Sequence, residues 1–308
     1  MSIKTCDCED NGLGNLGAPS CQLIAGVTGS MFLVPTYQSD GTPNYIDLTS
    51  DVLNQTFFEG KLYNADPSLR WQWIPTLDSV TNERAESLVQ ELDSGKKIRI
   101  RQGVKSFSGD IYGMSYTFLG KLKIAGCSEA SAFPVDLGGN MIGRRSDDQT
   151  KFYPIRIDKP SFDPIYVEPT DTTAARINMA FDWHQSELDE CLKIIAASEI
   201  TADLLTLRSV IDANLTEDTA VTASATAIGV QVTMDYGTAF TNKAIQGLVA
   251  ADFVVVSGGT PNTPDTVTET SPGKYAFDFT GDPLSSPVTV TLADGIAYEE
   301  NASLEITF

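Results

Sequence analysis

The stretch Lys274-Tyr275-Ala276-Phe277-Asp278-Phe279 places Tyr275, Phe277 and Phe279 on one face of an extended chain and Lys274, Ala276 and Asp278 on the other. Side chains alternate sides along a strand, so a period of two reads as a strand with one face in a core. The pattern recurs in Val288-Thr289-Val290-Thr291-Leu292 and in Leu304-Glu305-Ile306-Thr307-Phe308. Turn signals separate these runs: Gly258-Gly259, Ser271-Pro272-Gly273, Thr280-Gly281-Asp282-Pro283 and Asp294-Gly295. Strands are expected at residues 220–225, 229–234, 252–257, 274–279, 288–292 and 303–308. Short strands at this spacing predict a β-sandwich over residues 215–308.

Outward from this segment the composition changes near Asn214. All three tryptophans, the single histidine and all five cysteines precede it. Residues 215–308 carry Lys243 and Lys274 as their only cations against twelve acids, so half of the net charge of −20 sits on about a third of the chain. Two domains explain that shift better than one continuous fold, and 308 residues suffice for two cores. The expected organisation is an N-terminal arm at 1–21, a β-rich domain at 22–213 and the sandwich at 215–308.

The larger domain reads as α+β with mostly antiparallel strands, a β-sandwich or barrel core flanked by helices. Strand-like runs cover 22–35, 97–104, 118–125, 131–137, 152–157 and 176–182. Helices are expected at 81–93, which has capping residues first and Gly95 beyond, and at 186–197. In the latter, Leu188, Cys191, Leu192 and Ile195 fall at helical spacing behind Ser186 as cap. A third is expected at 202–214, with Leu204, Leu207 and Ile211 on one stripe. The long run from Thr36 to Val80, rich in Asn, Asp, Pro and aromatic residues, reads as a loop reaching an adjacent subunit.

The acidic balance disfavours specific nucleic-acid binding and anionic membrane surfaces as partners. The odd cysteine count, Cys6, Cys8, Cys21, Cys127 and Cys191, points to reduced thiols in a cytoplasm rather than a secreted disulfide framework. The opening MSIKTCDCED has no apolar signal core, and no stretch reads as a membrane anchor.

Chemical motifs are thin. His184 is alone, whereas a histidine-based triad or zinc site needs partners. Cys6, Cys8 and Cys21 follow C-x-C-x12-C rather than paired C-x2-4-C spacing, and the adjacent Asp7, Glu9 and Asp10 oppose a thiolate. Gly12-Leu13-Gly14-Asn15-Leu16-Gly17 lacks the preceding strand and following helix of a dinucleotide loop. Acidic pairs such as Asp147-Asp148 and Glu299-Glu300 are those expected by chance in an acidic chain. No enzyme, cofactor or metal site is therefore expected.

One basic cluster stands out, Lys96-Lys97-Ile98-Arg99-Ile100-Arg101-Gln102-Gly103-Val104-Lys105. Its period of two places Lys97, Arg99 and Arg101 on one face and points Ile98 and Ile100 into a core. Lys97, Arg99 and Arg101 form either a solvated face, a contact with an acidic face of a neighbouring subunit, or a contact with passing DNA.

The run Phe240-Thr241-Asn242-Lys243-Ala244-Ile245-Gln246-Gly247-Leu248, the following Asp252-Phe253-Val254-Val255, and Pro272-Gly273-Lys274-Tyr275 resemble a bacterial Ig-like repeat. Such domains are appended to adhesins and to phage capsid and tail proteins. In the larger domain, Phe32-Leu33-Val34-Pro35-Thr36-Tyr37, Ala65-Asp66-Pro67-Ser68-Leu69-Arg70-Trp71, the 95–104 run and Phe152-Tyr153-Pro154-Ile155 resemble structural proteins of tailed phages that infect Bacteroidetes, tail tube proteins among them. That resemblance implies a virion structural protein, synthesised in the host cytoplasm, whose subunits form stacked hexameric rings. It implies as partners other copies of itself, other virion proteins and passing DNA read without sequence specificity, with the Ig-like domain outside. The alternatives are a capsid or decoration protein, or a carbohydrate-binding adhesive module.

Overall fold

The computed structural model describes residues 23–187, 191–219, 225–279, 283–293 and 303–308. The expected arm at 1–21, with Cys6, Cys8, Cys21 and the glycine run, lies outside them, as do residues 220–224 of the first expected C-terminal strand. The fold is mostly antiparallel β with two α-helices. The chain divides into two compact units, Met1–Arg208 and Ser209–Phe308.

The first unit contains β1 (Thr28–Pro35), β2 (Ile46–Asp47), α1 (Gln55–Leu62), β3 (Gln72–Ile74), β4 (Asp78–Arg84), β5 (Leu88–Glu91), β6 (Lys97–Arg101), β7 (Lys105–Tyr112), α2 (Tyr116–Cys127), β8 (Ala130–Asp136), β9 (Met141–Arg145), β10 (Lys151–Tyr153), β11 (Ile155–Arg156), β12 (Ile165–Val167), β13 (Arg176–Asp182) and β14 (Leu192–Ile195). A large sheet runs β2-β10-β9-β8-β1-β3, with β11 on β8 and β14 on β9; a small sheet runs β12-β13-β7-β4.

Both faces of the large sheet are covered. Met31, Leu33, Ala132 and Ile155 pack on one side with Phe107, Ile177, Met179 and Phe181 of the small sheet and Leu122 of α2. Phe32, Val34, Phe133 and Phe152 pack on the other with Phe58 and Leu62 of α1, Trp71 and Trp73. Consequently every residue of β8 is buried, and the run Met31-Phe32-Leu33-Val34 in β1 sends apolar side chains both ways.

Among the described residues none of the three expected helices forms, and the first two lose to non-local pairing. Residues 81–93 instead supply the end of β4, which pairs with β7 from Asp78↔Asp110 to Arg84↔Lys105, and all of β5. Cap residues are a weak local preference against a full ladder. In 186–197, residues 188–190 lie outside the described residues. Beyond them β14 pairs with β9, sending Leu192 into one core and Ile195 into the other. A helix would have put both on one face. Within 202–214, only a 3-10 turn at Leu204–Thr206 is helical, and Ala213 begins a strand.

The two real helices were read otherwise. Residues 118–125 belong to α2, capped by Ser115, whose hydroxyl accepts from Phe118 N. Phe118, Leu119 and Leu122 share its inner stripe. Helix α1 lies inside the presumed loop 36–80. Asn54 caps it by accepting from Phe57 N at 2.8 Å, and Phe58 and Leu62, four residues apart, face the core.

The second unit contains β15 (Ala213–Thr219), β16 (Ala227–Met234), β17 (Lys243–Ala244), β18 (Phe253–Ser257), β19 (Thr260–Pro261), β20 (Thr266–Ser271), β21 (Lys274–Asp278), β22 (Val288–Leu292) and β23 (Ser303–Ile306). Its sheets run β15-β16-β21-β20, with β17 on β16, and β19-β18-β22-β23. They share one core of Val230, Val232, Phe253, Val255, Tyr275, Phe277, Val288 and Val290. Taken in chain order, this is the ABED and CFG arrangement of a constant-type immunoglobulin sandwich, with β19 added beside the third strand. The inter-sheet disulfide and tryptophan of antibody domains are replaced by valine and aromatic packing, since the unit has neither residue type.

Candidate assembly surface: a projecting ribbon and two open sheet edges

Among the described residues, strands β5 and β6 pair only with each other and prolong the β4–β7 pair as a two-stranded ribbon. Gly95, at φ +75°, closes its tip. At its base Ala85 N donates to Val104 O at 2.9 Å. A Cβ on Gly103 would stand 1.6 Å from the Ala85 carbonyl oxygen, so only glycine lets the two chains run this close.

From Thr81 to Gln102 every residue except Ser87 is exposed. Ile98 and Ile100, expected in the core, are 45% and 56% exposed, and Leu88, Val89 and Leu92 are exposed beside them. Their alternation is real, but no second layer packs on the ribbon. Cross-strand partners share a face. The pairs Glu91↔Lys97 and Val89↔Arg99 therefore place Lys97 and Arg99 together, while the register shift to Leu88↔Arg101 turns Arg101 to the opposite face. The expected common face thus holds Lys97 and Arg99 only. Lys97 and Glu91 stand 3.9 Å apart in solvent, a pair that contributes little.

Among the described residues the small sheet leaves both its outer strands open, since β4 pairs only with β7 and β12 only with β13. Around β12 the exposed residues are Asp163, Ile165 and Glu168, with Asp171 just beyond. Tyr116 of α2 stacks on Tyr166 at 4.1 Å between ring centroids and donates from its hydroxyl to Glu168 Oε1 at 2.6 Å. That hydrogen bond, with burial and the Glu168 charge adding to it, pushes the Tyr116 phenol from 10.0 up to about 12. The fold thus favours the neutral phenol, and its contribution is complete below pH 10 and lost as pH rises through about 12. Tyr116→Phe should remove one step near pH 12 from the phenolate absorbance titration; an unchanged titration would contradict the contact.

On the outer face of the small sheet Asp110 pairs with Arg176 Nε at 3.0 Å and accepts from Asn178 Nδ2 at 2.8 Å. The presumed inter-subunit loop 36–80 instead folds onto its own unit. Asn44 Nδ2 donates to the carbonyls of Pro35 and Ser68, and Trp71 and Trp73 are buried. The element that projects is the ribbon.

Elsewhere, His184 Nδ1 lies 2.7 Å from Ser186 Oγ, which also meets the Arg156 guanidinium. Arg156 Nε donates to the buried carboxylate of Glu187 at 2.7 Å, tying this turn to β11. A cleft of about 440 Å³ is lined by Trp73, Pro75, Leu137, Ile200 and Leu205, with Asp136 at its wall. Among the described residues no group of three or more His, Cys, Asp or Glu is placed to hold a metal ion, and no helix is long and apolar enough to cross a membrane.

Sequence reasoning found the cations of this surface by their contrast with an acidic chain. It missed β12, because Ile165-Tyr166-Val167 are strand formers in a run too short to show a period, between Pro164 and Pro169. Compared with known proteins, the chain matches no family model, no curated protein and no solved structure.

Proposed function

We propose that this chain is a virion structural protein that assembles with copies of itself, as the tail tube subunit of stacked hexameric rings through which DNA passes. The observation that carries the reading is the ribbon 85–103 beside two open edges of one sheet. A two-stranded ribbon with five exposed large apolar side chains is marginal alone and finds its stability against another surface. Open edges at opposite ends of one sheet suit a head-to-tail contact, which gives a ring where the rotation between copies closes.

The acidic body suits a conduit, because a net charge of −20 gives passing DNA no general grip. The second unit, with its own core, is an Ig-like domain displayed on the particle and dispensable for assembly. Other virion proteins join the rings, and the site of action is the virion after assembly in the host cytoplasm.

Electron microscopy of the purified chain should show rings or tubes of six-fold symmetry. A strictly monomeric protein at high concentration, together with its absence from virions, overturns the proposal. Pentamers or closed shells would instead identify a capsid or decoration protein.

A further inference from the structure

We propose that the outer edge of β6 in one copy pairs with the open edge of β12 in the next copy. This inference rests on the ring-forming reading above and names its contact. Among the described residues, strand β6 pairs on one side with β5 and has no neighbour on the other; β12 pairs with β13 and has none beyond it. Each therefore presents unpaired backbone donors and acceptors, the element that strand addition uses.

The side chains around the two edges are complementary. Residues 96–101 hold four cations and no acid, Lys96, Lys97, Arg99 and Arg101. Residues 163–171 hold three acids and no cation, Asp163, Glu168 and Asp171. All seven are exposed. Each edge also exposes an isoleucine, Ile98 at 45% and Ile165 at 47%, and a register that sets them side by side covers both. Burying two such side chains together removes apolar area that each copy alone leaves in water.

Charge selects this pairing over the other available one. The ribbon's second strand and the β4 edge carry Glu83, Glu86 and Glu91, which would repel the β12 acids. The two partner edges belong to different strands of the chain, so a contact made head to tail leaves one free edge of each kind and propagates from copy to copy.

Charge reversal in the full-length chain tests the contact, with assembly read by sedimentation and microscopy at ~0.15 M salt. Lys97→Glu with Arg99→Glu, and separately Asp163→Lys with Asp171→Lys, should each raise the concentration needed for assembly by on the order of tenfold or more. The four-fold variant carrying both reversals should recover assembly. All the changed residues are exposed, and circular dichroism of each variant checks that the fold is kept. If the ribbon variant blocks assembly while the Asp163/Asp171 variant assembles normally, or if the four-fold variant fails to recover, the pairing is wrong and the ring reading stands. If the unaltered chain never assembles, both fall.

Discussion

Phe32→Ala should lower the stability of the first unit by about 3–5 kcal/mol, the range for deleting a fully buried aromatic ring. Phe32 has no exposed surface and sits at the centre of the aromatic layer between the large sheet and α1. Its ring stacks on Phe58 at 5.2 Å and lies 5.6 Å from Trp71 and 4.2 Å from Trp73. Alanine would leave a void that the flanking strands β8 and β3, both hydrogen-bonded to β1, cannot close by moving. At this unit's size the loss corresponds to a fall in Tm of roughly 6–20 °C. The measurement is clean, because Trp71, Trp73 and Trp183 all lie in the first unit and the second has none. Denaturant unfolding followed by tryptophan fluorescence therefore reports the first unit alone. A midpoint unchanged to within about 0.5 kcal/mol would mean that this layer is not a packed core.

Asp136→Ala is the second large effect, about 3–5 kcal/mol, arising from orphaned donors rather than a void. Asp136 is buried at the end of β8. Its carboxylate accepts from Gly26 N at 2.9 Å, Gly138 N at 2.8 Å, Asn140 N at 2.9 Å and Asn140 Nδ2 at 2.9 Å. Asn140 in turn accepts from Ala197 N through Oδ1 at 2.9 Å, so one carboxylate holds three separate segments. Hydrogen bonds to a charged acceptor are worth about 1.5–3 kcal/mol each, though they do not add. Asp136→Asn keeps one carbonyl oxygen and should lose about half as much. Fluorescence-detected unfolding of the pair gives the comparison, and an alanine variant within about 1 kcal/mol of the parent would show that the turn is held by other contacts.

The second unit was largely legible in the linear chain. Strands β16, β18, β21, β22 and β23 lie where period-two runs had been read, because each has one face in a shared core and the other in water. Four strands were missed, the two-residue β17 and β19 and the longer β15 and β20. Thr266-Val267-Thr268-Glu269-Thr270-Ser271 offers one apolar residue to the alternation and is held as β20 mainly by its ladder to β21. Ala213–Thr219 was masked by a helical stripe in the residues before it.

In the first unit the runs at 22–35, 97–104, 131–137, 152–157 and 176–182 do contain strands, but the large sheet lacks a clean alternation for a physical reason. A sheet covered on both faces has no polar face, so its strands lose the alternation that identifies them. That is why the side of each β1 residue could not be assigned locally. Leu192 and Ile195 fell on the helical stripe of Leu188, Cys191, Leu192 and Ile195, but two cores on opposite sides of β14 supply a different explanation for them.

The candidate surface shows the division most clearly. By itself the sequence determined that this is a mostly antiparallel β protein, strongly acidic, with one basic run whose side chains alternate at Lys97, Arg99 and Arg101. Only the tertiary structure decided that Ile98 and Ile100 face water, that a register shift turns Arg101 away from its neighbours, and that β6 and β12 are left with open edges. Alternation is a property of a strand's own backbone and is written into adjacent residues. Burial, register and edge depend on which distant segment packs alongside, and no short window of sequence contains that partner.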